Sequence, residues 1–184
     1  MATTTTATNG FFQRLIGAAA LDTAIYEEVE ADPGATTQAC AVVLLSSFAA
    51  GIGARGLGEN SVGNIAFISI VALLAWAAWA VVTYEVGARL MPERQTRADV
   101  GQLLRTIGFA STPGLLRVFG IISGVAIPAF AISAVWMLLA MIVAVRQALD
   151  YTSTMRAVAV CVFGWALAIA IAMVLGLMFG PTVY

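Results

Sequence analysis

The chain has 184 residues, 61% hydrophobic and 10% charged, and its mean hydropathy of +0.94 exceeds what a soluble domain with a hydrated surface sustains. The net charge of −1, with every basic residue an Arg and no His, excludes a basic nucleic-acid surface and removes imidazole as metal ligand, proton shuttle or general base. The apolar runs do not alternate with polar residues as barrel strands do, which leaves an all-α polytopic bundle of about five transmembrane helices in a lipid bilayer, with no nucleic acid and no cofactor.

Residues 1–8, Thr-rich and without the basic start of a secretory signal, are expected to be a disordered, uncleaved tail. Residues 9–32 read as one amphipathic helix, lying at the membrane interface or packed against the bundle's own cytosolic end. Phe11, Phe12, Leu15, Ile16, Ala19, Tyr26 and Val29 recur at helical spacing, Gln13, Arg14, Glu27 and Glu28 take the other side, and Asn9 is the expected N-cap. Asp32 followed by Pro33 marks the start of the transmembrane domain, 33–184.

The first span, about 33–54, follows from the 22 uncharged residues between Asp32 and Arg55, enough at about 1.5 Å each to cover a hydrocarbon core of about 30 Å. Gly51, Gly53, Gly56 and Gly58 then predict a tight turn. The second span, about 62–84, has IAFISIVALLAWAAWAVV at its heart and Tyr84 as an interfacial anchor. The charged loop after it pairs Glu85 with Arg89 and Glu93 with Arg97 at i,i+4.

The third span, about 101–120, contains both Arg105 and Arg117, whose Cα atoms stand about 18 Å apart on an α-helix, so the crossing requires the two side chains to snorkel in opposite directions. A turn near Gly120 to Gly124 precedes the fourth span, about 124–145, kinked or started by Pro128. Arg146, Asp150, Tyr151 and Arg156 form a polar loop before the fifth span, about 157–180. With five spans, seven arginines fall on the N-terminal side and two on the other. That places the N-terminus in the cytoplasm and the C-terminus across a cell (inner or plasma) membrane.

Motifs that carry chemistry are few. The G-I-G-A-R-G of residues 51–56 matches a dinucleotide-binding pattern but follows a membrane span rather than a strand, so it reads as a turn. Gly120-x-x-x-Gly124 and Gly176-x-x-x-Gly180 have the spacing of close helix packing. Cys40 and Cys161 stand alone in apolar stretches and read as small buried hydrophobes. Ser111, Thr112 and Pro113 form a helix break in the third span, in which the hydroxyls can satisfy the groups that the proline frees. Together with Pro128 they are the candidate packing or substrate-path site. Glu27, Glu28, Glu30 and Asp32 form the candidate interaction cluster, for a cation or a basic partner. Tryptophans 76, 79, 136 and 165 lie within spans and read as packing residues. No ionisable group is expected at mid-membrane.

Three stretches, residues 21–33 (LDTAIYEEVEADP), 108–116 (GFASTPGLL) and 135–157 (VWMLLAMIVAVRQALDYTSTMRA), resemble the Yip1 family of small polytopic membrane proteins. The resemblance implies five transmembrane helices with a cytoplasmic N-terminus and carries over no catalytic residue. Eukaryotic members are associated with vesicle trafficking and Rab-type small GTPases through a cytosolic N-terminal region. The absence of Lys and the Ala-rich spans fit a bacterial chain. The expected role is a non-enzymatic scaffold or accessory subunit, as a homo-oligomer or with other membrane-protein subunits. The alternative is a small permease or lipid-handling protein with a path near Pro113 and Pro128.

Overall fold

The computed structural model describes residues 9–58, 61–96 and 99–179, and every regular element among them is helical. Seven α-helices follow one another: α1 (Phe11–Ala19), α2 (Thr23–Ala31), α3 (Ala35–Gly53), α4 (Val62–Tyr84), α5 (Val100–Phe109), α6 (Ala126–Ala148) and α7 (Thr154–Phe179). A short 3₁₀ turn, Ala54–Leu57, ends α3, a π-helical stretch, Glu85–Leu90, extends α4, and a ten-residue 3₁₀ helix, Thr112–Ile121, continues α5. The Thr-rich tail at 1–8, Arg97 and Gly180 lie outside the described residues.

Four helical stretches are long and apolar enough to cross a membrane: Ala35–Leu57, Val62–Leu90, Ala126–Ala148 and Thr154–Met178. The segment Val100–Ile121 runs the length of α3 in two pieces. At its start, the Arg105 Nε donates to the carbonyl of Val29 at 3.1 Å, beside the end of α2. At its finish, Gly120 packs against Gly53 and Gly56 at the opposite end of α3. Ten α-helical residues at about 1.5 Å and ten 3₁₀ residues at about 2.0 Å give about 35 Å, enough for the hydrocarbon core.

Small residues explain why this segment fits. Along α3, Ala39, Ser46 and Gly53 recur every seven residues, two α-turns, and face Gly108 near the end of α5 and Gly114 and Gly120 of the 3₁₀ helix, the last two standing two 3₁₀ turns apart. A Cβ built on Gly114 would stand 2.0 Å from the Ser46 Oγ, and one on Gly53 would stand 1.9 Å from the Arg117 carbonyl oxygen. The backbones therefore touch, as small-residue packing in membranes allows. The glycines at 51 and 53 are contact residues more than turn formers; the turn itself falls on Gly58, at φ +103. Likewise Gly120 is a contact residue, and Gly124, at φ +81, makes the turn into α6. Pro128 occupies the first turn of α6, where its missing N–H is harmless, so it starts that helix and does not kink it.

The single helix expected over 9–32 is two helices folded back on each other. The chain reverses at Leu21, at φ +63, and Asp22 then caps α2 by accepting from the Ala24 N–H at 2.9 Å. Gly17 makes the fold-back close: a Cβ there would meet the Ile25 side chain at 2.4 Å. The expected faces are also rearranged. Phe12 and Ile16 are exposed, whereas Arg14 is buried. Gly10 rather than Asn9 caps α1, with the Gln13 Oε1 accepting from its N–H at 2.8 Å.

Candidate functional site

The acidic cluster before the first span is divided among three tasks. Glu28 and Asp32 converge on Arg14, at 2.9 Å and 2.7 Å, and the Gln38 Oε1 accepts a third bond at 3.0 Å. The side chain of Asn9 also donates to Glu28. The Arg14 hydrogen bond holds the Asp32 carboxyl below its usual range. Burial works against ionising Glu28, but bonds from Asn9 and Arg14 outweigh it and leave that carboxyl lowered as well. Glu27 accepts instead from the Gln147 Nε2 at 2.7 Å, tying α2 to α6. Glu30 is pushed up to about 7 by burial and by the nearby Asp150, with Arg105 pulling the other way. Among the described residues no group of His, Cys, Asp or Glu is arranged to hold a metal ion.

The proline break is closed internally. The Ser111 Oγ donates to the Ile107 carbonyl at 3.3 Å and the Thr112 Oγ1 to the Phe109 carbonyl at 2.6 Å. The Pro113 carbonyl accepts from the Ser133 Oγ of α6 at 3.0 Å, and all three break residues are buried. Pro113 begins a 3₁₀ helix here and does not bend a continuous α-helix. Pro128 is exposed on the far rim, well away from the break.

At the same end of the bundle as α2, Glu93 serves the N-terminus of α7. Its carboxylate accepts from the Thr152 N–H at 3.0 Å, the Thr152 hydroxyl at 2.7 Å and the Ser153 N–H at 3.2 Å. These bonds, the Thr152 hydroxyl first, hold it down at about 2. The Glu85–Arg89 pair forms at 2.9 Å on the surface.

The feature that the sequence reading missed lies in the bundle. Arg105 turns to the α2 end as expected, but Arg117 does not reach the opposite rim. Its Nη2 donates to the Met137 Sδ at 3.1 Å and its guanidinium lies 5.9 Å from the Phe130 ring centre. Met137 is eleven residues into the 23-residue α6, so the charge sits about 16 Å from either end of that helix. Arg117 lines a cavity of about 180 Å³ with Trp76, Trp79, Met137, Met141 and Trp165, closed by alanines of α4 and by Ile169. The expectation of no mid-membrane ionisable group is therefore wrong. Rise along the helix axis does not reveal this, because the side chain leaves the 3₁₀ segment inward, toward Met137 and Phe130.

The tryptophans around the cavity differ in their bonding. The Trp79 Nε1 donates to the Cys161 carbonyl at 3.3 Å, with Gly164 leaving room for its ring. Trp136, on another flank, donates to the Ala19 carbonyl at 2.7 Å. The Trp76 Nε1 and the Arg117 Nε are buried without a hydrogen-bond partner. The sequence held two signals for this site: the spaced glycines at 108, 114 and 120 that bring the segment against α3, and three tryptophans on α4 and α7.

Fold and site together define an all-α, multi-pass membrane bundle whose polar chemistry is concentrated at one end and in one internal cavity. The Yip1 domain family matches residues 23–175, and the chain belongs to the Yip1 family. No curated protein and no solved structure matches it.

Proposed function

We propose that the protein acts without catalysis, as a membrane scaffold or as an accessory subunit of a larger membrane assembly in a cell membrane. The observation that carries this reading is the division of its surface. The carboxylates most able to do chemistry, Glu28 and Asp32, are engaged in holding Arg14. The outer flanks of α4 and α7 present large apolar side chains such as Ile70, Val81, Phe163 and Leu177 along the bundle. Such flanks suit lipid or the helices of a partner. Arg89, Arg94, Arg105, Arg146 and Arg156 gather at the α2 end, with Arg55 at the other, which favours a cytoplasmic α2 end.

A permease path beside the prolines draws no support from the geometry, because Pro113 is packed under Ser133 and neither proline lines the Arg117 cavity. Extraction of the native protein in a mild detergent, followed by native mass measurement, tests the scaffold reading. The expected result is a homo-oligomer or a stable partner complex, and solitary monomers would overturn it.

A further inference from the structure

We infer that the Arg117 cavity binds the anionic head group, phosphate or carboxylate, of a bilayer lipid that enters sideways from the membrane. The inference goes beyond the scaffold reading and does not rest on it.

A guanidinium at mid-depth in hydrocarbon costs from about 2.5 to more than 10 kcal/mol unless it is compensated. Four other arginines are compensated: Arg14 has two carboxylates, Arg105 two carbonyls, Arg146 the Tyr151 carbonyl, and Arg156 the Pro92 carbonyl with Glu93. At Arg117 the described residues offer a thioether and a ring face. A sulfur is a weak acceptor, and a phenyl ring attracts a cation without neutralising it.

A second donor points the same way. Trp76 lines the same cavity, and its buried indole N–H is equally without an acceptor. One oxyanion in the cavity would satisfy both groups, because it accepts several bonds and bonds to an ionised donor are the strong ones.

Size and walls select the class of anion. A cavity of about 180 Å³ has the volume of several waters, each taking about 30 Å³ in the liquid, and so holds a head group with the first carbons of a chain. The walls of Trp, Met and Ala suit those carbons. At the margin, Ile169 is 47% exposed on the outer flank of α7, so the approach is from lipid. A free ion and a head group both shed water on entering, but the chains of a lipid stay in the bilayer throughout and hold its head group near the mouth.

The cavity supplies its own probe, since three of the four tryptophans line it. The full chain, reconstituted in phosphatidylcholine vesicles, would be titrated with brominated phosphatidylglycerol or with brominated phosphatidylcholine while tryptophan emission is followed. Half-maximal quenching is expected at about tenfold lower mole fraction for the anionic lipid. Unbrominated phosphatidylglycerol should relieve it, and millimolar inorganic phosphate should not. Arg117→Gln should erase the preference, and Trp76→Phe should reduce it severalfold while Trp79 and Trp165 still report.

Equal quenching by the two lipids in the wild-type protein would overturn the proposal whether or not the variants fold. That result would point to a partner's carboxylate as the counter-charge. Relief by inorganic phosphate as complete as by phosphatidylglycerol would replace the lipid with a free anion. A preference that persists in both variants would place the anionic lipid elsewhere on the bundle.

Discussion

Arg14 and Arg117 are both drawn into this bundle, and their surroundings are opposite. Arg14 is 2% exposed and enclosed by Glu28, Asp32 and Gln38, which join α1 to α2 and to the start of α3. Arg117 has a methionine sulfur, a ring face and an open cavity. The first charge is structural, because its acceptors come from α2 with its C-cap and from α3, which it fastens to α1. The second fastens nothing, and its bonding capacity is left for something outside the chain.

The largest expected effect removes the platform beneath Arg117 and leaves Arg14 alone. Gly53→Leu drives a side chain into the Arg117 carbonyl, a backbone atom that cannot rotate away. A loss of about 4 kcal/mol or more is expected, read as failure to accumulate folded protein in the membrane. Normal yield and thermal stability for this variant would mean that the α3 crossing is not the rigid support described above.

Arg14→Ala comes next. It leaves two partly exposed carboxylates without the buried guanidinium that pairs them, and a loss of about 2 kcal/mol, reduced for their exposure, is expected in detergent thermal unfolding. Arg14→Lys should recover little, since one ammonium cannot repeat the planar fork that serves Glu28, Asp32 and Gln38. The folded values of Glu28 and Asp32 are lowered. Their contribution is therefore fully present above the unfolded values, near 4, and is lost as pH falls through the folded ones.

Glu30 has the opposite sign at the same end of the bundle. Its folded value is raised from 4.5 to about 7, so the folded chain favours the neutral acid, and stability declines as pH rises across that window. Glu30→Gln should leave unfolding at pH 4 unchanged and stabilise the protein at pH 8 by about 1 kcal/mol, a figure reduced for its partial exposure. An equal shift at both pH values would place the effect in packing rather than in charge.

The smallest effect sharpens the comparison most. Arg117→Met, an apolar replacement for an uncompensated charge, should change stability by less than about 1 kcal/mol or raise it. If it costs as much as Arg14→Ala, the two arginines are alike and the distinction fails.

The sequence shows these two sites unequally. Charge-free runs make the long helices plain: the run from Asn60 to Tyr84 brackets α4 closely, because hydropathy and helix length are both averages over many residues. The reversal at Leu21 carries no glycine or proline of its own. Only Asp22, a good N-cap, marks it, so Arg14 and Glu28 read as neighbours on one wet face when they are partners across a fold. The division of the acidic cluster is equally hidden, since Gln147 and Asp150 are more than a hundred residues from Glu27 and Glu30. At the third crossing, a reading at 3.6 residues per turn puts Arg117 at a rim. The glycines at 114 and 120 have the period of a 3₁₀ helix, but it becomes legible only when Ser46 and Gly53 are set against them.

That period has a mechanical consequence. A 3₁₀ helix advances about 120° per residue and an α-helix about 100°, so over the five steps from Thr112 to Arg117 the two windings diverge by about 100°. The same ten residues wound as an α-helix would also be about 5 Å shorter. Tightening or relaxing this one segment would swing the guanidinium between the cavity and a neighbouring helix and shift the height of the Gly124 turn. The bearing of the charge is thus set by pitch, in a segment that Gly114 and Gly120 bring against α3.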